Sequence, residues 1–321
     1  MGPDPGLSKE GHPRIVFMGT PVFAEIILEG LIEDGWNVVG VVTQPDRPSG
    51  RGRKVSPPPV SQVAQAHGIL VLQPKKIKDN VFLEDLADLG PDMMVVAAYG
   101  KILPREVLLL PPLGCYNVHA SLLPAFRGPA PVRWAIIDGE RTTGITIFRM
   151  DEGMDTGDLL VAESLEIDPN ETAGNLTERL ARLAARIITP SLRDIVGGKA
   201  RFVPQDHEKA TVVPILKKGD GQIDWGLPAE SIRNRIRGLD PWPGAFTFWR
   251  GKRLRLWEAE TNDSGSAGEP GEVISVADQG VRVQAGGGTI YLKSVQLEGG
   301  RRMSVEEFLR GHRMQAGERL G

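Results

Sequence analysis

The chain is poor in cysteine, and Cys115 is the only one among its 321 residues. A single cysteine excludes an intrachain disulfide and a cysteine-based metal cluster. No apolar run approaches the ~18 residues that a transmembrane helix requires. Residues 1–13 are polar and rich in Gly and Pro, without the hydrophobic core of a signal peptide. We therefore expect a cytoplasmic protein without a membrane span, in which residues 1–13 form a flexible leader.

An excess of positive charge is also missing, because 38 Lys and Arg side chains stand against 41 Asp and Glu, for a net charge of −3. This balance argues against a protein coated with positive charge to bind nucleic acid. One local basic segment exists at residues 44–59, where Arg47, Arg51, Arg53 and Lys54 outnumber a single aspartate. The segment is either a solvated loop or an arm that becomes ordered on phosphates. It has no aromatic residue, so we expect no base stacking from it.

A dinucleotide fingerprint is absent as well. The turn at Gly19-Thr-Pro follows a first apolar run but lacks the spaced glycines of a nicotinamide-binding loop. An amphipathic helix is predicted over residues 22–34, a second apolar strand over 37–43 and a central apolar strand beginning at Asp92. This α/β pattern predicts an open, mostly parallel, Rossmann-like sheet.

The last third of the chain has a different pattern. Short β runs separated by Gly and Pro turns predict a small barrel of the oligonucleotide-binding (OB) kind. These runs are 246–249, 253–258, 272–276, 280–284 and 289–297. We therefore predict a catalytic domain at 14–200 and an OB-like domain at 220–321, joined by a polar linker at 201–219.

The densest group of chemically useful residues lies between Cys115 and Gly128. In a strand over residues 116–120, Asn117 and His119 point to the same face, because side chains alternate along a strand. An amide donor beside an imidazole can stabilise a developing oxyanion. The alternative is a histidine that bonds a backbone carbonyl and an asparagine in a turn. Cys115 shares the parity of the pair, but we interpret it as a small buried apolar residue.

Two further segments are candidates for completing a site. Ligands of open α/β sheets bind at the carboxyl ends of strands, so the segment from Tyr99 to Pro104 is a candidate pocket wall. An acidic turn at residues 151–158 lacks the spacing of a calcium loop, and we interpret it as a turn between strands. Each of its acidic residues could orient the imidazole, and the sequence leaves the choice open. They are Asp151, Glu152, Asp155 and Asp158.

The order Asn-Val-His-Ala-Ser-Leu-Leu-Pro over residues 117–124, followed by Arg127-Gly, resembles the folate-dependent formyltransferases. Further matching segments are Met18-Gly-Thr-Pro and residues 43–52, 96–104, 150–158, 223–225 and 236–245. With the basic segment and the second domain included, the resemblance extends over residues 14–319 to the members whose acceptor is initiator methionyl-tRNA. It implies that Asn117 and His119 are catalytic, with Asp155 as their acidic partner.

The resemblance also implies the ligands. 10-Formyltetrahydrofolate is the expected co-substrate, initiator methionyl-tRNA the expected acceptor, and no metal is expected. The folate is expected along Ser121, Leu122, Leu123 and Pro124, with its pterin near Tyr99, Gly100, Ile102 and Leu103. The tRNA is expected at Arg47, Arg51, Arg53 and Lys54 and at the domain 220–321. The expected enzyme is a monomer that makes N-formylmethionyl-tRNA for translation initiation.

Three other functions compete with this one. A formyltransferase acting on an amino-sugar nucleotide would share the catalytic residues but would have no need of a flexible arginine arm. A non-catalytic RNA-binding protein would leave the group of Asn117, His119 and Asp155 unexplained. A serine hydrolase built on Ser121 lacks the Gly-x-Ser-x-Gly elbow.

Overall fold

The computed structural model describes residues 13–49, 54–262, 268–277 and 280–321. These described residues divide into two compact units, the first lying within 13–131, 142–166 and 177–213, and the second within 132–141, 167–176 and 214–321. Within the polar segment 201–219, residues 201–213 fall in the first unit and 214–219 in the second. Residues 201–213 belong to the first unit because their backbone is paired there: Leu159 N donates to Val203 O at 2.8 Å, and Arg127 N donates to Thr211 O at 2.8 Å.

The first unit contains a seven-stranded sheet. Its strands are β1 (Ile15–Gly19), β2 (Val38–Val42), β5 (Leu70–Leu72), β6 (Met93–Ala97), β7 (Cys115–His119), β8 (Thr142–Arg149) and β9 (Leu159–Glu166). The order across the sheet is β5-β2-β1-β6-β7-β8-β9. The pairs from β5 to β7 are parallel, whereas β8 and β9 are antiparallel to their neighbours. The predicted open, mostly parallel sheet is confirmed, and every residue of β1 and β6 is buried, as apolar parallel strands require.

The helices of the described residues are α1 (Val22–Glu33), α2 (Pro59–Ala66), α3 (Asn80–Asp88), α4 (Arg105–Leu108), α5 (Pro131–Ile137), α6 (Ala173–Val196), α7 (Ala229–Gly238) and α8 (Val305–Gly311). Short 3-10 turns lie at His207–Lys209 and Lys218–Gly221. Helix α1 buries a stripe that includes Phe23, Ile27 and Leu31 and ends before Gly35, whose φ of +77° favours glycine. In the described part of the chain, no helix has the length and apolar character needed to cross a bilayer.

The basic segment differs from the irregular loop that the sequence suggested. Arg47–Ser49 (β3) and Lys54–Ser56 (β4) form a two-stranded antiparallel ladder, with Arg47 opposite Ser56. Pairing between these two ends uses main-chain groups, so it is compatible with a sequence of prolines and charges that shows no strand alternation. Arg51 and Arg53 lie outside the described residues.

The second unit contains a separate antiparallel sheet, which confirms the β pattern predicted for this part of the chain. Its strands are β10 (Phe246–Trp249), β11 (Lys252–Asn262), β12 (Val273–Ala277), β13 (Gly280–Gln284), β14 (Thr289–Leu297) and β15 (Met303–Ser304). The order is β10-β11-β14-β13-β12, with β15 on β14. Strand β11 is longer than predicted because irregular register steps around Glu258 let it continue along β14. Residues 318–321 form main-chain hydrogen bonds with the strands at both ends of this order. Val273 N of β12 donates to Glu318 O, and Gly321 N donates to Phe248 O of β10.

Candidate active site

Asn117 and His119 lie near the carboxyl end of β7, between the parallel strand β6 and the antiparallel strand β8. Their side chains share one face of the strand, as its period of two requires. Asn117 is half-buried and pairs in register with Val96 and Phe148, whereas His119 is 6% exposed. A buried imidazole and a half-buried amide are therefore presented side by side.

Asp155 is the acidic residue that meets this pair. Its Oδ1 accepts a hydrogen bond from Asn117 Nδ2 at 3.4 Å, and its Oδ2 lies 3.7 Å from His119 Nδ1. The other acidic side chains of the turn are engaged elsewhere. Asp151 accepts from the Thr156 hydroxyl at 2.6 Å, Glu152 pairs with Arg105 and Asp158 pairs with Arg149. The geometry thus selects one of the four carboxylates that the sequence left open.

The orientation of the His119 ring follows from its second nitrogen. His119 Nε2 lies 2.9 Å from Phe126 O, and a carbonyl oxygen can only accept, so Nε2 carries a proton. In the neutral ring Nδ1 is then the free base, and it faces the Asp155 carboxylate. The 3.7 Å separation is too long for a good hydrogen bond but short enough for a charge interaction. The arrangement therefore places Nδ1 opposite the Asp155 carboxylate.

The turn that carries Asp155 has an unusual backbone. Asp155 has a φ of +55°, in the left-handed region that a non-glycine residue rarely adopts. Gly157 has no room for a side chain, because a Cβ there would lie 1.8 Å from Arg149 O. Gly128 N donates to Asp155 Oδ2 at 2.8 Å and so fixes the carboxylate from the other side. Asp155 is held by main-chain groups as well as by Asn117.

The predicted folate segment follows β7 directly and is tied to β8. The Thr146 hydroxyl donates to Ser121 O at 2.7 Å and accepts from Leu123 N at 3.1 Å. Ser121 is fully buried, and its hydroxyl donates to Ala125 O at 2.7 Å, which makes it a structural group. Leu122 and Pro124 are half-buried, whereas Leu123 is buried. Leu122 and Pro124 are therefore the members of this segment with accessible surface for a ligand.

The predicted pterin segment likewise contains both buried and exposed residues. Tyr99 and Leu103 are buried in an apolar cluster that also contains Cys115. Gly100 and Ile102 are exposed, Ile102 by 71%. Burial raises the pKa of the Tyr99 hydroxyl to about 12, so this hydroxyl remains protonated at neutral pH.

Cys115 does not reach the site, despite sharing the parity of Asn117 and His119. Its Sγ lies 3.7 Å from Leu108 O and 3.8 Å from Val107 O, at the amino end of β7. Burial raises the pKa of the thiol to about 12. The thiolate needed for a nucleophile is therefore scarce at neutral pH, in agreement with the interpretation of Cys115 as a core residue.

Two polar residues near the Asp155 turn, Gln205 and Arg127, have no role predicted from the sequence. Gln205 Nε2 donates to Asp155 O at 2.9 Å and to Gly157 O at 2.8 Å. Gln205 Oε1 accepts from Arg127 Nη2 at 2.6 Å. Gln205 stands in the polar segment that was predicted to be a linker, 50 residues from its partner. No sequence pattern connects the two positions, whereas Arg127 was visible as part of the Arg-Gly motif.

Arg47 is the predicted tRNA-binding residue whose side chain lies in the described part of the chain. Arg47 is exposed, and its Nη2 donates to Gln44 Oε1 at 3.2 Å. Arg51, Arg53 and the side chain of Lys54 lie outside the described residues. Within residues 13–49, 54–262, 268–277 and 280–321, no cluster of three or more His, Cys, Asp or Glu side chains is arranged to hold a metal ion.

A family model described as "Formyl transferase" matches residues 13–192, and one described as "Formyl transferase, C-terminal domain" matches residues 215–313. The chain belongs to the formyl transferase family, as the resemblance in its motifs implied.

Individual relatives carry a more specific name than the family models do. The chain is 47% identical over 310 residues to a methionyl-tRNA formyltransferase from Ruminiclostridium cellulolyticum, covering 96% of this chain and 99% of that protein. It is 49% identical over 307 residues to a methionyl-tRNA formyltransferase from Syntrophus aciditrophicus, covering 96% and 98%. Among solved structures, HypX from Aquifex aeolicus in complex with tetrahydrofolic acid aligns with a TM-score of 0.64 at 19% identity, covering 94% of this chain and 48% of that chain. At this identity the structural match supports the fold alone.

Proposed function

We propose that the chain transfers the formyl group of 10-formyltetrahydrofolate to the α-amine of initiator methionyl-tRNA, acting as a cytoplasmic monomer in translation initiation. The observation that carries this proposal is the meeting of Asn117, His119 and Asp155 beside the segment 121–124. An amide donor, a proton-accepting imidazole and a carboxylate are the groups that acyl transfer to an amine requires. The methionyl-tRNA formyltransferases that are nearly half identical to this chain support the acceptor.

The residues around the site fit a folate. Leu122 and Pro124 offer half-buried apolar surface, and Ile102 is exposed after the neighbouring strand β6. Parallel β6 and β7 end at the same edge of the sheet, so these residues can cover the flat pterin while its formyl group faces Asn117.

Each of the three proposed catalytic residues then has a defined role in the reaction. The folate supplies the formyl carbon that the methionyl amine attacks. Asn117 Nδ2 donates to the formyl oxygen as negative charge develops there, an interaction typically worth ~3 kcal/mol in the transition state. His119 Nδ1 accepts the proton that the amine loses, and the Asp155 carboxylate 3.7 Å away stabilises the resulting positive charge. His119 returns this proton, directly or through water, to N10 as the C–N bond to N10 breaks.

The second unit offers a surface suited to RNA. On β11, the side chains of Arg255 and Trp257 are partly exposed. The guanidinium of Arg302 lies 5.1 Å from the Trp257 ring centre, and that of Arg255 lies 5.7 Å from it. Arginines stacked on an aromatic ring can contact phosphates and bases together. We propose that this patch and the basic segment 44–59 both contact the tRNA.

The direct test is incubation with 10-formyltetrahydrofolate and charged initiator tRNA, scored for formylmethionine. Formation of formylmethionyl-tRNA is the expected result. Formylation of an amino-sugar nucleotide in its place would reassign the acceptor, and RNA binding without turnover would remove the enzymatic function.

The role of His119 is tested by His119→Ala. We expect kcat to fall about 100- to 1,000-fold, because proton transfer at Nδ1 is lost, while the Kd for tetrahydrofolate stays within about threefold. His67→Ala is the matched control, since His67 is exposed at the end of α2. Full turnover by His119→Ala, with the control also active, would remove His119 from the mechanism.

A further inference from the structure

A network of hydrogen bonds holds the turn that carries Asp155, and Gln205 is its central member. Gln205 is 6% exposed and donates both N–H groups of its amide, one to Asp155 O and one to Gly157 O. Its oxygen accepts from Arg127 Nε at 3.2 Å and Nη2 at 2.6 Å. The neighbouring Gly128 N bonds the carboxylate of the same aspartate at 2.8 Å. The backbone and the side chain of Asp155 are therefore held by one connected network.

Arg127 determines which way the Gln205 amide faces. A guanidinium can only donate, so the amide oxygen must point to Arg127 and the amide nitrogen must point to the two carbonyls. Arg127 is itself 6% exposed and is fixed by two backbone bonds, Arg127 N to Thr211 O and Val213 N to Arg127 O, each 2.8 Å. Its Nη2 also donates to His207 Nδ1 at 3.0 Å. The orientation of the amide is thus set by buried groups.

The need for such a network follows from the Asp155 backbone. A residue held at a φ of +55° requires support from its surroundings, and such conformations cluster at functional sites. If the turn relaxed, the carboxylate would move away from His119 Nδ1. A displacement of about 1 Å at a reacting centre can cost on the order of 100-fold in rate.

We propose that Gln205 is a positioning residue for formyl transfer, which holds the turn of Asp155 so that its carboxylate faces His119, with Arg127 orienting the Gln205 amide. This proposal rests on the proposed function of the same site. Gln205 would thus affect the rate of formyl transfer although it does not touch the reacting atoms.

The test is a double-mutant cycle between Gln205→Met and Asp155→Asn, with kcat and both KM values measured. Methionine keeps the length of glutamine but removes both N–H donors. We expect Gln205→Met to lower kcat about 10- to 100-fold and to leave both KM values within about threefold. In the Asp155→Asn background the same change should cost less than about threefold, because there is no longer a carboxylate to position.

A second variant covers the case in which Gln205→Met does not fold. Gln205→Glu retains an oxygen for Arg127 and adds an ion pair, yet loses the donors to Asp155 O and Gly157 O. We expect it to fold and to lose kcat to a similar extent. The control is Gln284→Met, because Gln284 is a buried amide of the second unit that likewise donates to two carbonyls, Ala285 O and Gly288 O. Its kcat should stay within about twofold below its melting temperature.

Two results would overturn the proposal while leaving the enzyme intact. One is wild-type kcat in both Gln205 variants. The other is an equal loss of kcat from Gln205→Met in the native and the Asp155→Asn backgrounds, which would indicate a structural role unrelated to the carboxylate. Absence of formylmethionyl-tRNA with the unmodified chain would instead refute the proposed function, so the two failures are distinguishable.

Discussion

At the scale of single residues, burial determines the protonation of two groups in the described part of the chain, Tyr99 and Cys115. Tyr99 and Cys115 belong to one apolar cluster of the first unit, and burial raises the pKa of each to about 12. Both groups are neutral when protonated, so the folded state retains its protons at a pH where the unfolded chain releases them. Between the ordinary thiol pKa of 9.0 and the folded value of about 12, stability must therefore fall as pH rises.

The expected fall of stability at alkaline pH can be tested. The free energy of unfolding, measured by urea denaturation, should be level near pH 8 and decline above pH ~9. Cys115→Ala removes one of the two groups, so its slope above pH ~9 should be shallower by as much as about 1.4 kcal/mol per pH unit. The variant should retain kcat and be less stable by about 1 kcal/mol. An unchanged slope would mean that Cys115 titrates in the folded state as it does in the unfolded chain.

The residues of the site were predictable to different degrees. Strand alternation was sufficient to place Asn117 and His119 on one face, because both stand on β7. Alternation has no bearing on a turn, so the residues alone left four carboxylates open and only the family resemblance pointed to Asp155. The positive φ and the Gly128 bond that hold this carboxylate are visible only in the fold. Gln205 was out of reach for the same reason, since its partners are backbone carbonyls of another segment.

At the scale of elements, the segment 121–124 packs closely on β8, and a glycine of β8 makes this close packing possible. A Cβ on Gly144 would lie 2.2 Å from Glu163 O of β9 and 2.5 Å from Leu122 Cδ2. Thr146, two residues further along the same strand, bonds Ser121 O and Leu123 N. Gly144 therefore lets the segment 121–124 pack closely on β8, where Thr146 fixes it.

Gly144→Ala should loosen the packing of β8 against Glu163 of β9 and against Leu122. Since one of the crowded atoms is a backbone oxygen that cannot rotate away, we expect a loss of about 1–3 kcal/mol in the free energy of unfolding. We also expect a KM for 10-formyltetrahydrofolate raised several-fold with a smaller change in kcat, because the proposed folate segment moves while β7 stays in place. Thr142→Ala, an exposed position on the same strand, serves as control and should change stability by less than about 0.5 kcal/mol. Wild-type stability and KM in Gly144→Ala would show that the segment does not depend on this packing.

The elements themselves were predictable where local sequence and tertiary setting agree. The apolar runs of β1, β2 and β6 identified a buried parallel sheet because both of its faces are covered. The β3–β4 ladder was missed, since Pro48 and the surrounding charges give no alternation and the pairing is made by main-chain groups. The bonds of residues 318–321 to Gly271, Val273 and Phe248 are likewise tertiary and have no local signal.

At the scale of the whole molecule, a net charge of −3 must be reconciled with an RNA partner. Affinity for RNA depends on local cations that release counterions, so a chain of either net charge can bind if its arginines are grouped. One group lies in the basic segment of the first unit, and the other is the pair Arg255 and Arg302 on the second unit. Arg302 lies 3.9 Å from Asp240, a weak ion pair, and in the described part of the chain Arg255 has no carboxylate within 4.0 Å. Arg255 is therefore available for phosphates, whereas Arg302 also donates from Nε to Ser294 Oγ at 3.3 Å and would keep this contact or exchange it for a phosphate.

If both groups contact the tRNA, their effects on salt dependence should add. Each phosphate contact that is lost should reduce the slope of log(kcat/KM) against log[salt] by about 0.7–0.9. We expect a slope flatter by about 2–3 for the triple Arg47, Arg51 and Arg53→Gln variant and by about 1–2 for the Arg255 and Arg302→Gln pair. The combined variant should show the sum, with kcat at saturating tRNA little changed. Arg182→Gln with Arg193→Gln, two exposed positions of α6, controls for loss of charge alone. A slope unaffected by the second-unit pair would confine tRNA contact to the first unit, and equal slopes in all variants would exclude both groups as phosphate contacts.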